Sequence, residues 1–274
     1  MSTKSGLSGG AEPVDITPYL NWFLSYTHGF AVCRDKGRKN IELKEKHSLR
    51  VYENAAAIGE AHGFYPRVHF LTRLAALFHD LGRFEQYSRY NTFKDNESVD
   101  HARLGFSILK EKGILSPLPA ADRRVVLLAV LLHNKKTLPS SLGPEYSDCL
   151  RAVRDADKLD IMPVVIDHLQ RREKDQAITM GLRDRPENYS PQVLRQVKDC
   201  GLVNYTDMVF INDFKLLLLS WVYGLNFAYS YAVLEKKRYL DELCALLPDA
   251  PELKGLKDEV LQFVHHQGRL GYAV

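Results

Sequence analysis

The stretch 75–87, AALFHDLGRFEQY, ends an apolar run in adjacent His79 and Asp80. An imidazole and a carboxylate on the inner face of a helix cost several kcal/mol unless a partner or a cation compensates them. The pattern recurs along the chain. His47, His101 and His133 each lie beside or within an apolar run, as in LLHN, and Asp157 lies in VRDAD. A single buried histidine is commonly a satisfied core residue, but helix after helix turning His or Asp inward calls for a bound cation. Imidazole and carboxylate together are the donor set for Mn, Fe, Co, Ni or Zn. The spacings HxxxH and HExxH, which put two histidines on one turn, are absent. Ligands would therefore come one per helix, with His79–Asp80 as the adjacent pair. Neighbours on a helix point about 100° apart, so this pair suits two metals or opposite sides of one.

The dominant period is that of the α-helix. A helix is expected over about 42–62, with His47, Val51, Ala55 and Ile58 on one face. A second should run over about 66–81, with Pro66 in its first turn and Gly82 at its exit. Residues 84–98, FEQYSRYNTFKDNES, lose the apolar period and read as a loop of a length that is often functional. Tyr87, Tyr90, Asn91, Phe93 and Lys94 would line a pocket mouth there. A third helix begins near Val99 with Ser98 as its cap. A fourth, about 120–135, is apolar all round and should be the central buried helix. After a Pro/Ser/Gly break at 139–144, another helix carries RAVRDADKLDIM and continues over 163–178 past a kink at Pro163.

No strand pairs or repeats stand out, so the class is all-α: a helical bundle with an additional C-terminal helical region. Residues 1–15 read as a flexible head, 16–180 as the metal-binding helical domain, and 181–274 as a helical extension packed on the same core. Residues 216–234 carry no charge and are long enough to span a bilayer. Their Ser220, Asn226 and Ser230 and their mid-segment aromatics fit a buried helix instead, with Trp221, Tyr223, Asn226 and Phe227 packing.

The net charge of +3 over 274 residues argues against binding to long nucleic acid. Cys33, Cys149, Cys200 and Cys244 are scattered and read as free thiols of a reducing cytoplasm. No Ser/His/Asp or Cys/His triad is evident. His28, His62, His69, His265 and His266 read as structural, with His62 and His69 facing solvent.

The ordered set His47, His79–Asp80, His133 and Asp157 resembles the HD superfamily of metal-dependent phosphohydrolases over roughly residues 40–165. FHDLGR and DADKLD match its two most recognisable motifs. The resemblance implies a metal held by His47, His79, Asp80 and Asp157. In relatives with extra histidines a second metal binds, and His101 and His133 occupy those places, which makes Asp80 the bridging carboxylate between two divalent transition-metal ions. The implied activity is hydrolysis of a small phosphorylated molecule, a nucleotide among the candidates, by metal-activated water. Asp80, Arg83 and Lys158 are the expected catalytic residues. Arg83 stands where relatives with HDxGK carry a lysine, and shares the His79 face if that helix persists. Asp155, Asp160 and Asp100 are the carboxylates expected to orient the imidazoles.

Similar proteins with the same histidine pattern, myo-inositol oxygenase and a phosphonate-cleaving oxygenase among them, hold two irons and use O₂. A di-iron oxygenase is therefore the alternative, and a non-catalytic ligand-binding module the third reading. No GYP companion motif occurs in the sequence and no sensor domain is expected, which disfavours a cyclic-dinucleotide phosphodiesterase. Expected partners are a small phosphorylated molecule, no membrane and no long nucleic acid, with a homo-oligomer left open.

Overall fold

Twenty-seven residues of α2 (Asp35–Ala61) and twenty-seven of α7 (Pro144–Gln170) form the long antiparallel frame on which the site is built. The computed structural model describes residues 15–30, 35–139, 142–171 and 181–270. Residues 1–14 of the expected head, Cys33, and the expected continuation of α7 over 172–178 lie outside the described residues. Before α2 comes α1 (Thr17–His28), and between α2 and α7 run α3 (Pro66–Phe78), α4 (Leu81–Tyr90), α5 (His101–Lys112) and α6 (Ala120–Leu132). Among the described residues no β-strand occurs, and only an isolated bridge joins Arg183 to Phe210.

The local signals act much as propensity dictates. Gly63 takes the left-handed φ of +61° that ends α2, and Pro66 opens α3. α3 is more thoroughly buried than α6: Phe70, Leu71, Thr72 and Leu74 through Phe78 are all enclosed. α6 keeps Arg124 exposed. A fourth turn of α3 never forms, and the helix stops at Phe78 instead of 81. Asp80 sits at φ −101°, ψ 16°, and α4 begins at once. The expected loop at 84–98 is thus half helix, shortened to 91–94 and a 3₁₀ turn, Asp95–Glu97. Asp100, not Ser98, caps α5, accepting from the backbone of Ala102 and Arg103. α7 runs unbroken across Pro163.

Gly82 is a residue of α4 and not the exit of α3. Its backbone lies so close to α5 that a Cβ there would meet the His101 carbonyl oxygen at 2.1 Å and the Gly105 nitrogen at 2.7 Å. Any side chain would force the two helices apart.

Residues beyond 181 form α8 (Pro191–Lys198), α9 (Ile211–Ser220), α10 (Ala228–Lys237), α11 (Tyr239–Ala245) and α12 (Pro251–Leu270). α10 and α11 pack on α7, and their apolar residues join one continuous core with those of α2, α3 and α6. The uncharged stretch 216–234 is cut by a 3₁₀ turn, Trp221–Gly224, and by Asn226. No helix among the described residues is long and apolar enough to cross a membrane. Cys149, Cys200 and Cys244 are free.

Candidate metal centre

Four helix segments deliver four imidazoles to one point. His47 projects from the middle of α2, and His101 opens α5. His79 and His133 occupy equivalent places, each just past the last turn of its helix, α3 and α6. There the helix's own terminal carbonyls are free to accept. His79 Nδ1 donates to Ala76 O at 2.7 Å and His133 Nδ1 to Val130 O at 2.8 Å. The other two imidazoles are held by carboxylates. His47 Nδ1 donates to Asp160 at 2.7 Å, and His101 Nδ1 donates to Asp95 at 2.7 Å. Arg50 clamps Asp160 from the far side, through two nitrogens.

Because every Nδ1 partner is an acceptor, each imidazole carries its proton on Nδ1 and turns a lone pair on Nε2 inward. Those lone pairs meet. His47 Nε2 is 3.2 Å from His79 Nε2, and His101 Nε2 is 3.1 Å from His133 Nε2. Carboxylates complete the ring. Asp157 Oδ1 lies 3.2 Å from His47 Nε2 and 3.6 Å from His79 Nε2. Asp80 divides its oxygens: Oδ2 faces His47 at 3.5 Å and His79 at 3.8 Å, while Oδ1 faces His101 at 3.4 Å and His133 at 3.8 Å. A ring of acceptors with no hydrogen among them is arranged for a cation, and this nitrogen and oxygen set fits a first-row divalent metal. His47, His79 and Asp157 form one group that could hold an ion, and His79, Asp80 and His133 another.

The electrostatics show the pull that a cation, or a proton in its place, would answer. Burial opposes a charge on His79, yet Asp80 and Asp157 outweigh it and raise its pKa. Burial likewise opposes ionisation of Asp80, but Lys44, His79, Arg83 and His101 hold it well below the usual carboxylate range. Asp157 is held down in the same way, by His47 and His79 against burial. Burial and then the neighbouring imidazoles push His133 down to about 3, so it stays neutral and ready to ligate.

The structure places the remaining expected residues unevenly. Arg83 lies on α4, not on a continuation of α3. Its Nε is 3.5 Å from Asp80 Oδ1, and its Nη1 donates to Asp95, Gln86 and the Phe93 carbonyl. Its Nη2 makes no hydrogen bond among the described residues. Lys158 Nζ donates to Arg154 O at 3.3 Å and has no carboxylate within ion-pair distance among the described residues. Burial draws its pKa down to about 8, against the pull of Asp155 and Asp157.

Of the three carboxylates expected to orient imidazoles, Asp160 alone does so. Asp100 caps α5 and pairs with Lys135 at 2.6 Å, and Asp155 faces away from the histidines. His62 is exposed as expected, but His69 is partly buried and donates to Ala56 O at 3.0 Å.

Three contributors escape a reading of the sequence. Lys44 Nζ reaches Asp80 Oδ2 at 2.8 Å. Asp95 holds His101 from a loop, and its carboxyl sits at about 2 because His101 and Arg83 outweigh burial. Tyr205, from the C-terminal region, has its hydroxyl pushed up to about 12 by burial and by Asp157. Lys44 carries a weak signal, one turn before His47 on the same helix; the other two carry none.

From α2 into α7, residues 45–162 match the model of the HD domain family. This segment resembles an HD domain. The HD domain is an all-helical fold, as observed, and every inward His and Asp of the cluster falls within the match. Helices α8 to α12 lie beyond it. No curated protein and no solved structure matches the chain.

Proposed function

We propose that the protein is a phosphohydrolase that uses two divalent transition-metal ions, one on each histidine pair, to cleave a small phosphate ester. The observation that carries this reading is the division of Asp80, whose two oxygens face the two pairs separately. Such ions would supply Lewis acidity that acidifies water and neutralises phosphoryl charge.

The chain's own residues do the rest. Asp80, held ionised, and Asp157 give the cluster its only negative ligating groups, while Lys44, Arg83 and Lys158 stand around them. With divalent ions bound, the centre and these cations would together favour an anionic substrate over a neutral one. Arg83 is locked by three acceptors on Nη1, while Nη2, which has no partner among the described residues, would donate to a phosphoryl oxygen. Lys158 adds a cation beside Asp157. Asp160 and Asp95 keep His47 and His101 in the tautomer that ligates.

The test is metal content per chain on protein purified without chelators, followed by phosphate release from a panel of monoesters and diesters. About two ions per chain and metal-dependent release are expected. A metal-loaded protein that releases no phosphate from any ester but consumes O₂ would instead establish the oxygenase chemistry open to iron in the same donors. No metal uptake in excess metal would leave the histidines structural.

A further inference from the structure

The four imidazoles are not equally anchored. His79 and His133 lean on carbonyls of their own helices, and His47 on an aspartate of α7 that Arg50 clamps. His101 depends on Asp95, which belongs to the 3₁₀ turn Asp95–Glu97 and keeps 33% of its side chain exposed. A loop carboxylate this open is free to turn to water unless something pins it.

Gln86 does the pinning. It is fully buried on α4, and every polar atom of its side chain is engaged. Its Nε2 donates to Asp95 Oδ1 at 2.9 Å, to Ser98 Oγ at 2.8 Å and to Val99 O at 2.9 Å, while its Oε1 accepts from Arg83 Nη1 at 2.9 Å. The partners decide which end is which, because a guanidinium only donates, and a carboxylate and a carbonyl only accept. Neither an ionised glutamate nor a methionine could serve both ends. Ser98 Oγ in turn donates to Lys94 O at 2.7 Å and closes the turn around Asp95. Val99 lies two residues before His101, so one amide holds the carboxylate that orients the imidazole and the main chain that carries it. Gln86 also stands four residues after Gly82, one helical turn along the same face of α4. That face addresses His101 twice, by main chain at Gly82 and by the amide at Gln86.

We infer that Gln86 is a positioning residue for the metal position of the His101–His133 pair, acting through Asp95 and the chain that leads into His101. The inference rests on the two-metal reading of the site.

The test is calorimetric titration of Mn²⁺ into the chelator-stripped full chain. The wild type should take up two ions. Gln86→Met, close in size but without the amide, should weaken one of them about tenfold and leave the other unchanged. The ion weakened should be the one that Asp95→Asn weakens. Because both residues act on the same imidazole, the double variant should lose no more than the larger single loss. Gln86→Asn, whose amide falls one carbon short of Asp95, should show the same split and is read instead if Gln86→Met does not fold. Two unchanged affinities, an equal fall in both, or additive losses in the double variant would overturn the inference alone. A wild type that binds fewer than two ions would overturn the two-metal reading and the inference with it.

Discussion

Two faces of α7 put the same side chain to opposite uses. Asp157 faces the histidines of α2 and α3, and Asp155, two residues earlier, faces the C-terminal helices. Two residues turn a helix by about 200°, so the pair is split between sides. Asp157 meets imidazoles and is driven to stay ionised. Asp155 is fully enclosed and collects Asn226 N at 2.9 Å, Asn226 Nδ2 at 2.8 Å, Phe227 N at 3.1 Å and Ser230 Oγ at 2.8 Å. Burial is the larger effect there, and its pKa rises. These donors fix the start of α10, so Asp155 is a bolt between the HD-like segment and the helices beyond it. What a buried carboxylate does is decided by who faces it, cation site or neutral N–H and O–H groups.

Substitutions can break or sharpen that contrast. The largest effect is expected at Asp157→Ala, with a loss of several kcal/mol of metal-derived stabilisation. Activity should fall about a thousandfold and metal per chain should drop; a full complement of metal in this variant would remove Asp157 from the centre. Asp155→Ala strands four donors and should cost roughly 3 kcal/mol in urea unfolding. Its folded fraction should keep its metal, and an unchanged unfolding midpoint would sink the bolt. A smaller effect is expected one turn further on. Asp160→Asn keeps a polar group against His47 but loses its charge, and should weaken metal binding roughly 10- to 100-fold in a competition titration. An unaltered affinity would show that Arg50 and Asp160 serve packing alone. The smallest effect is expected at Arg83→Ala, where metal stays and inorganic phosphate binds about tenfold less tightly. Equal phosphate affinity in variant and wild type would take Arg83 out of substrate binding.

What could be read from the chain alone follows the same division. His47, His79, Asp80, His101, His133 and Asp157 announce themselves because each interrupts or borders an apolar helical run, where solvation gives no reason for its presence. Asp155 sits in the same RDADKLD stretch, and nothing in a one-dimensional pattern says which carboxylate faces the histidines and which faces a distant loop. Lys44 hides in the charged run ELKEKH, which reads as a solvated face. Asp95 and Tyr205 come from connections, whose positions are set by tertiary contacts such as that from Lys136 to Asn204 rather than by periodicity. The break after Phe78 was hidden for a related reason: it has no proline, and the glycine that seems to mark it, Gly82, serves the contact with α5.

That contact has a bearing on how such a centre could be remodelled. Gly82 lies two residues after Asp80, and the atom it abuts belongs to His101 itself. The interval between the shared carboxylate and the second histidine pair is therefore gauged by main chain against main chain, with no side chain between to shrink or swell. Exchanging ligands can change which element the centre prefers, but its span is a ruler cut into the backbone, and an engineer wanting a longer one would have to re-lay two helices.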